Sequence, residues 1–291
     1  MKPEVRARVR HEYAVEANGA GMISVGHIQT ILAFLCSLAV ATQAWSSNAF
    51  PWPDGRDAAI ALTYDDAKSS QLDVAIPQLD AAGLKGTFFL TADNMSQQDI
   101  SRWRAVAAEG HELGNHSLFH PCAGGASKLL PQYKNEDYSI KSMLNEIRVM
   151  NVFLFAIDGQ SLHSYAAPCG QTIVGGEDYS EALRESGLVR SMRVGGQGIF
   201  DPRSVDLFHV PSKGFHDVTG AELIAFVEQV QRTGGAGVMK FHGVGGNYLV
   251  TSAEAHKTLV DYLVEHQRDI WIAPFGELMD YVAVHRDHVG R

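Results

Sequence analysis

The sequence has few cysteines and no excess of basic residues. Only three cysteines occur among 291 residues, and two of them, Cys122 and Cys169, follow the apolar N-terminal segment. Two cysteines cannot form a disulfide framework, so packing must hold the core. Lys and Arg number 24 against 33 Asp and Glu, which gives a formal charge of −9. Because phosphate neutralisation needs a basic surface, this balance excludes non-specific binding of nucleic acid.

Several other signatures are also missing. The sequence contains no series of long apolar spans, which excludes a multi-span membrane protein. Its glycine clusters at 195–198, 234–237 and 243–246 lack the strand–GxGxxG–helix context of a nucleotide site. No G-x-S-x-G elbow occurs, which argues against a Ser-His-Asp hydrolase. With 45% apolar and 20% charged residues, the composition is that of an ordinary globular protein.

Residues 1–44 are predicted to be an N-terminal extension and a signal peptide. Residues 31–40 are apolar and residues 41–44 end in small side chains, a pattern typical of a signal-peptide core with cleavage after Ala44. A start at Met1 supplies basic residues before this core, whereas a start at Met22 does not. We expect an exported protein, periplasmic or secreted, without stable membrane insertion after cleavage. An uncleaved membrane anchor is the alternative.

The chain after residue 44 predicts one α/β domain. Residues 45–57 are expected to form an extended leader and residues 58–291 the catalytic domain. Short apolar runs predict strands at 59–64, 86–90, 112–115, 164–167, 189–194, 207–210, 237–241 and 270–273. Helical patterns lie at 69–82, 97–108, 135–156, 177–186, 219–232, 252–266 and 275–284. This alternation favours a closed (β/α) barrel over an open doubly wound sheet, with function at the C-terminal ends of the strands.

Two of the predicted strands end in residues that suit a metal ion. Asp65 and Asp66 follow the strand at 59–64, and two adjacent negative charges need a positive charge nearby. A helix N-cap or a solvated turn is the alternative for this pair. His116 and His120 follow the strand at 112–115, and their spacing would place both on one face of a helical turn. Imidazole and carboxylate together suit Zn²⁺ and related ions.

Two further strand ends carry polar groups. Pro168-Cys169-Gly170 follows the strand at 164–167, and His242 follows the strand at 237–241. A lone histidine after a strand is by default a structural residue. Its functional interpretation therefore depends on the other motifs.

Taken in order, these four motifs resemble those of the polysaccharide deacetylase family (NodB-homology domain, carbohydrate esterase family 4). Residues 63–66 are similar to the family's first motif and residues 116–120 match its second; residues 165–170 and 239–242 resemble two later motifs more weakly. The resemblance spans about residues 58–284. It implies a distorted NodB-like (β/α) barrel of about seven or eight strands.

The resemblance also implies metal-dependent removal of acetyl groups from an acetylated glycan. The expected substrate contains N-acetylglucosamine, as chitin oligomers and peptidoglycan do. Carried over by position, the metal ligands are Asp66, His116 and His120. The expected ion is Zn²⁺, with Co²⁺ or Mn²⁺ as alternatives.

The same resemblance assigns the catalytic roles. Asp65 is the general base and His242 is the general acid. The backbone N–H of Cys169 is expected to help bind the oxyanion, and Tyr64 is expected to lie beside the substrate.

The sequence departs from the family pattern at two places. The third motif normally begins with an Arg that orients the base, but residues 165–167 contain none, and Arg190 and Arg193 are the candidates to replace it. The family's fourth motif, with a Trp and an acidic residue, is not found. Asp201 and Asp206 are therefore the candidates to pair with His242.

Four alternatives stay open from the sequence. The first is an O-acetyl esterase acting on acetylated xylan, and the second is a catalytically inactive glycan-binding member of the fold. The third is a different metallohydrolase, such as an amidohydrolase of small molecules. The fourth concerns Cys122 and Cys169, which are either two buried thiols or a disulfide beside the site.

Overall fold

The computed structural model describes residues 49–93, 95–125 and 132–286. The predicted signal peptide lies outside these residues. The described strands, in chain order, are β1 (Ala58–Asp65), β2 (Thr87–Leu90), β3 (Glu112–Asn115), β4 (His163–Ala166), β5 (Ile173–Val174), β6 (Glu177–Asp178), β7 (Val189–Gly195), β8 (Ile199–Phe200), β9 (Val210–Gly214), β10 (Ala236–Phe241) and β11 (Ile270–Ile272).

Seven of these strands close into a parallel barrel. Their order is β1-β2-β3-β4-β7-β9-β10, and β10 pairs with β1 to complete the ring. The strand β11 extends the sheet beside the start of β1, and β8 adds an antiparallel edge to β10. The predicted (β/α) barrel of about seven or eight strands is therefore confirmed, with seven strands in the closed ring.

The helices between the strands cover the outside of the barrel. They are α1 (Ile76–Ala81), α2 (Gln97–Ala108), α3 (Ile140–Asp158), α4 (Ser180–Ser186), α5 (Gly220–Thr233), α6 (Ala253–Glu265) and α7 (Phe275–His285). Sequence signals fix several of their ends. The side chains of Ser96 and Thr219, for example, accept hydrogen bonds from the backbone at the third helical position, which supplies partners for otherwise unsatisfied N–H groups.

The helix expected at 69–82 is present, with a π-helical segment, Gln71–Ala75, before α1. Three other predicted elements differ from the observed ones. The helices expected at 135–156 and 177–186 begin later, as α3 and α4, and the strand β6 precedes the second of them. The strand expected at 207–210 is displaced to β9, because the pairing with β7 begins at Val210 and continues through Pro211 to Ser212. Apolar content alone could not indicate that register.

Alternation along β1 separates the two sides of the barrel wall. Ile60 and Leu62 pack under the outer helices, whereas Ala59 and Ala61 face the interior. Small side chains suit the crowded interior, and large ones suit the layer between strands and helices. Since the period is two residues, Asp65 also faces inward, at the C-terminal mouth of the barrel.

The segment before β1 is packed rather than free. Phe50 and Trp52 are buried, and Trp52 lies against Trp271 and Tyr281. The indole N–H of Trp52 donates a hydrogen bond to the carbonyl oxygen of Gly234. The predicted extended leader thus contributes Phe50 and Trp52 to the core. In the described part of the chain, no helix is both long and apolar enough to cross a membrane.

A buried histidine ties α6 to the barrel. His256 Nδ1 donates to Gln78 Oε1 at 2.6 Å, and its Nε2 accepts from the Tyr64 hydroxyl at 2.6 Å. The Nε2 atom can accept this hydrogen bond only in the neutral imidazole. Burial lowers the pKa of His256 to about 4.

We predict that this histidine makes stability fall on acidification. Below pH 6.5 His256 becomes protonated in the unfolded chain, whereas in the folded chain it stays neutral down to about pH 4. The free energy of unfolding therefore decreases as the pH falls through this range. The loss approaches about 3 kcal/mol. The difference in free energy of unfolding between wild type and His256→Gln, measured with denaturant, should therefore decrease from pH 7 to pH 4. A gap independent of pH would contradict this assignment.

Candidate functional site

The first strand delivers two carboxylates to the mouth of the barrel. Asp65 ends β1, and Asp66 follows with a backbone φ of +73°. This left-handed conformation, which Asp adopts more readily than most residues, turns the chain so that both side chains stay near the mouth. The Asp66 N–H donates to the carbonyl oxygen of Phe89 on β2, at 3.0 Å, and fixes the turn.

The two histidines of the second motif meet through a loop, not a helical turn. Residues 116–120 follow β3 in irregular backbone, so the expected helical turn is wrong. Ser117 and His120 have positive φ, and Asn115 Oδ1 accepts the Ser117 N–H at 2.8 Å. The Ser117 hydroxyl in turn accepts the His120 N–H at 3.0 Å. These side chain-to-backbone bonds fold the loop so that the two imidazole centroids lie 4.7 Å apart.

One carboxylate oxygen faces both imidazoles. Asp66 Oδ1 lies 3.6 Å from His116 Nε2 and 3.4 Å from His120 Nε2. This oxygen is buried and has no hydrogen-bond partner among the described residues. A buried acceptor without a donor is costly, which is a reason to expect a cation at this point.

The donor set fits a divalent metal ion. Asp66, His116 and His120 place their ligand atoms within 4.8 Å of one another. His116 Nδ1 donates to the carbonyl oxygen of Ala166 at 2.7 Å, which leaves the lone pair of Nε2 directed at the cluster. Burial lowers the pKa of His116 to about 3, so the ring is neutral, as a metal ligand must be.

The second oxygen of Asp66 is near a lysine. Lys68 Nζ lies 3.5 Å from Asp66 Oδ2, and the lysine side chain is largely buried. Burial by itself would raise the pKa of Asp66, but the neighbouring histidines and Lys68 lower it overall. The carboxylate is therefore ionised and available as a ligand.

The arginine that the third motif lacks is supplied by Arg193 on β7. Its Nη2 lies 2.7 Å from Asp65 Oδ1 and 2.6 Å from Oδ2, and all three atoms are buried. Arg193 pairs in register with Ala166 of the neighbouring strand β4. Arg190, the other candidate, instead bonds Asp280 and the carbonyl oxygen of Leu162. The guanidinium is therefore supplied by β7, the neighbour of the strand β4 that carries the third motif.

Two neighbours hold the Arg193 guanidinium in place. Its Nη1 donates to the Ser212 hydroxyl at 2.9 Å, and its carbon lies 4.9 Å from the centroid of the Phe89 ring. Burial would raise the pKa of Asp65, but the Arg193 charge holds it well below its usual range. Asp65 is accordingly ionised at any physiological pH.

His242 is brought to the same mouth by the pairing of β10 with β1. It is the first residue after β10, and its carbonyl oxygen accepts from Gln71 Nε2 at 3.0 Å. The same amide nitrogen donates to the carbonyl oxygen of Asp65 at 2.6 Å. Gln71 therefore clamps together the two strand ends that carry Asp65 and His242. Nothing in the sequence motif marked this glutamine.

The suggested acidic partners of His242 are wrong. Asp206 forms a two-pronged hydrogen bond to Arg184, and Asp201 bonds Arg203. Burial lowers the pKa of His242, while the charges of Asp65 and Asp66 oppose that shift. The electrostatic partners of this imidazole are the site's own carboxylates.

The third motif forms a tight turn after β4. Cys169 and Gly170 have positive φ, and a Cβ at Gly170 would lie 2.6 Å from the backbone nitrogen of Gly195. Cys169 is joined to Cys122 by a disulfide, with Cα atoms 5.9 Å apart. Because both sulfurs are in this bond, neither is a metal ligand, although His120 lies close to them. The disulfide links the loop of His120 to the turn of Cys169.

Tyr64 is the one predicted site residue that the structure places elsewhere. Its side chain is fully buried between Phe88 and Phe241, and its hydroxyl bonds His256. The reason is the two-residue alternation of β1: Tyr64 points outward if Asp65 points inward. Tyr64 is therefore a core residue, not a substrate contact.

The fold and the cluster define a NodB-like (β/α) barrel with a carboxylate–histidine site at its C-terminal mouth. A crystal structure from Mycobacterium smegmatis, described as a polysaccharide deacetylase, superimposes with a TM-score of 0.60 at 17% identity. That match covers 81% of this chain and 94% of the other. At this identity the similarity establishes the fold.

Sequence comparisons agree with the resemblance in the motifs. The family model for polysaccharide deacetylase matches residues 53–188, so the predicted resemblance to that family is confirmed over this segment. A gellan lyase from Bacillus sp. is 32% identical over 97 residues, and a peptidoglycan-N-acetylglucosamine deacetylase from Bacillus cereus is 30% identical over 91 residues. These alignments cover 33% and 31% of this chain, but only 4% and 32% of the two relatives.

We predict strong energetic coupling between Asp65 and Arg193. Arg193→Met leaves a buried carboxylate without its counter-charge and should lower the free energy of unfolding by about 3–5 kcal/mol at pH 7. Asp65→Asn should cost far less in that background than in wild type, because it removes the orphaned charge. The measurement is a double-mutant cycle by denaturant unfolding.

Arg190→Met is the matched control for this cycle. Its partner Asp280 is exposed at 54%, so the pair contributes at most about 1 kcal/mol. The changes in free energy of unfolding caused by Arg190→Met and Asp65→Asn should add in the double variant. Additivity of Arg193→Met with Asp65→Asn would show that the pair does not form.

Proposed function

We propose that this protein is a metal-dependent hydrolase that removes acetyl groups from a glycan containing N-acetylglucosamine, such as chitin oligomers or peptidoglycan. One observation carries the proposal. A buried, unpartnered oxygen of Asp66 faces the Nε2 atoms of His116 and His120, beside an Asp65 that Arg193 holds in its ionised form.

Asp66, His116 and His120 would hold the cation, with Zn²⁺ as the expected ion and Co²⁺ or Mn²⁺ as alternatives. Three protein ligands leave further coordination positions open, as catalytic sites require. When bound, such an ion acidifies a water molecule and polarises an acetyl carbonyl.

Asp65 is assigned as the general base. Its low pKa makes it a weak base, so it can deprotonate only a water that is already acidified. The Arg193 contacts fix the direction of the carboxylate as well as its charge. This pairing supplies what the third motif lacks in sequence and removes the main argument for an inactive member of the fold.

His242 is assigned as the general acid, and the Cys169 turn as the oxyanion donor. An imidazolium whose pKa is lowered by burial is a stronger acid, which suits proton delivery to a departing amine. The backbone N–H of Cys169 would bind the oxyanion as it develops. The disulfide to Cys122 fixes that turn relative to His120.

We also propose that the protein acts outside the reducing cytosol. The Cys122–Cys169 disulfide supports this, since such bonds persist in oxidising compartments. Export by the predicted signal peptide at about residues 22–44 is consistent with it.

Acetate release tests the proposal. After chelation and restoration of Zn²⁺, Co²⁺ or Mn²⁺, we expect turnover of chitin oligomers or peptidoglycan and none in chelator. Asp65→Asn should lower the rate at least about 100-fold, because a positioned general base contributes that much or more. The same variant should bind metal like wild type in equilibrium dialysis, since Asp65 is not a ligand.

Asp73→Asn is the control, because the Asp73 side chain is more than half exposed and its ion-pair partner among the described residues is Arg102. Its turnover should equal that of wild type. Near-normal rates in Asp65→Asn would refute the assigned base. Release from acetylated xylan alone would favour the O-acetyl esterase, and bound metal without any release would favour a glycan-binding role.

A further inference from the structure

Lys240 places an ammonium group inside the mouth of the barrel. It lies on β10 two residues before His242, so both side chains share one face of the strand. In register, it is opposite Thr63 of β1 and Gly214 of β9. This register places it on the inner wall beside the site, and the charges of Asp65, Asp66 and Arg193 act on its ammonium.

A glycine on the neighbouring strand makes room for this lysine. Gly214 lies on the same face of β9 as Ser212, the residue that bonds Arg193. A Cβ at Gly214 would lie 3.2 Å from Lys240 Cε and 3.8 Å from Nζ. The lysine stem therefore runs across the inner surface of β9, at the position where a side chain at 214 would otherwise project.

The Lys240 charge is surplus to the needs of the two carboxylates. Asp65 is paired with Arg193, and Asp66 with Lys68. No acidic side chain of the described residues forms an ion pair with the Lys240 ammonium, although the lysine is half-buried. Removing an unpaired ammonium from water is unfavourable, and packing in the core does not compensate for that cost. A role in binding would explain why a lysine occupies this position.

The local charge is also opposite to that of the whole protein. Three side-chain cations, Arg193, Lys68 and Lys240, face two carboxylates at the mouth. The chain as a whole carries a formal charge of −9. A positive mouth in an acidic protein concentrates anionic ligands at that point only.

We propose that Lys240 selects acidic glycans by binding a sugar carboxylate next to the acetyl group that is removed. The substrate class is an acetylated glycan that contains uronic acid. This inference rests on the proposed function and narrows its substrate. A carboxylate satisfies the ammonium by a charge-assisted hydrogen bond, which a neutral sugar cannot do as well.

The test compares two oligosaccharides that differ only in this charge. One alternates N-acetylglucosamine with glucuronate, and the other is its carboxyl-reduced form, in which each glucuronate is glucose. For the metal-loaded full chain, we expect kcat/KM to be about 10- to 100-fold higher with the acidic form. Lys240→Met should lower kcat/KM on the acidic form by about 10-fold or more relative to its effect on the reduced form, so that the preference is lost.

Lys213→Met is the matched control, because it removes an equal charge from β9. Lys213 Nζ lies 5.5 Å from the Phe215 ring and 5.6 Å from the Phe226 ring, on the helix-facing side of the wall. Its variant should keep the full preference. Unfolding curves for both variants establish that they fold.

Calorimetric binding of the same two oligosaccharides separates this inference from the proposed function. If neither releases acetate but wild type binds the acidic form more tightly and Lys240→Met does not, the selection stands and the deacetylase assignment fails. Equal affinity and equal kcat/KM of wild type for the two oligosaccharides would overturn the selection. So would an equal loss on both in Lys240→Met, which would assign Lys240 to the reaction itself.

Discussion

The arrangement of the site follows from two adjacent carboxylates buried at the end of one strand. Neither Asp65 nor Asp66 is more than 6% exposed, and burial alone would drive protons onto both. Each therefore requires its own positive partner. Arg193 compensates Asp65 from β7, and Lys68 lies near one oxygen of Asp66. The other oxygen of Asp66 is left facing two imidazoles without a hydrogen-bond donor, which explains why a metal ion is expected there.

Much of this fold could be predicted from local patterns, because the strands are short, apolar and bounded by polar residues. Strand β3 and helix α2 match their predicted bounds, and the ends of β1 and β10 correctly located Asp65 and His242. The contacts between distant segments could not be predicted in the same way. Arg193 meets Asp65 across 128 positions of the chain, only because β7 pairs with β4 in one register.

The wrong expectations have local physical causes. Tyr64 adjoins a site residue in sequence, but strand alternation sends its side chain to the opposite face of the wall. The spacing of His116 and His120 suggested a helical turn, whereas Asn115 and Ser117 fold the loop by bonding its backbone. In both cases the motif located the correct segment, and the backbone conformation decided which side chains meet.

Anomalous diffraction from crystals grown with Zn²⁺ tests the central claim most directly. The account predicts one strong peak per chain at the barrel mouth, in contact with Asp66, His116 Nε2 and His120 Nε2, and no such peak in crystals of Asp66→Asn. A zinc peak held by other residues, or an undiminished peak in that variant, would contradict it.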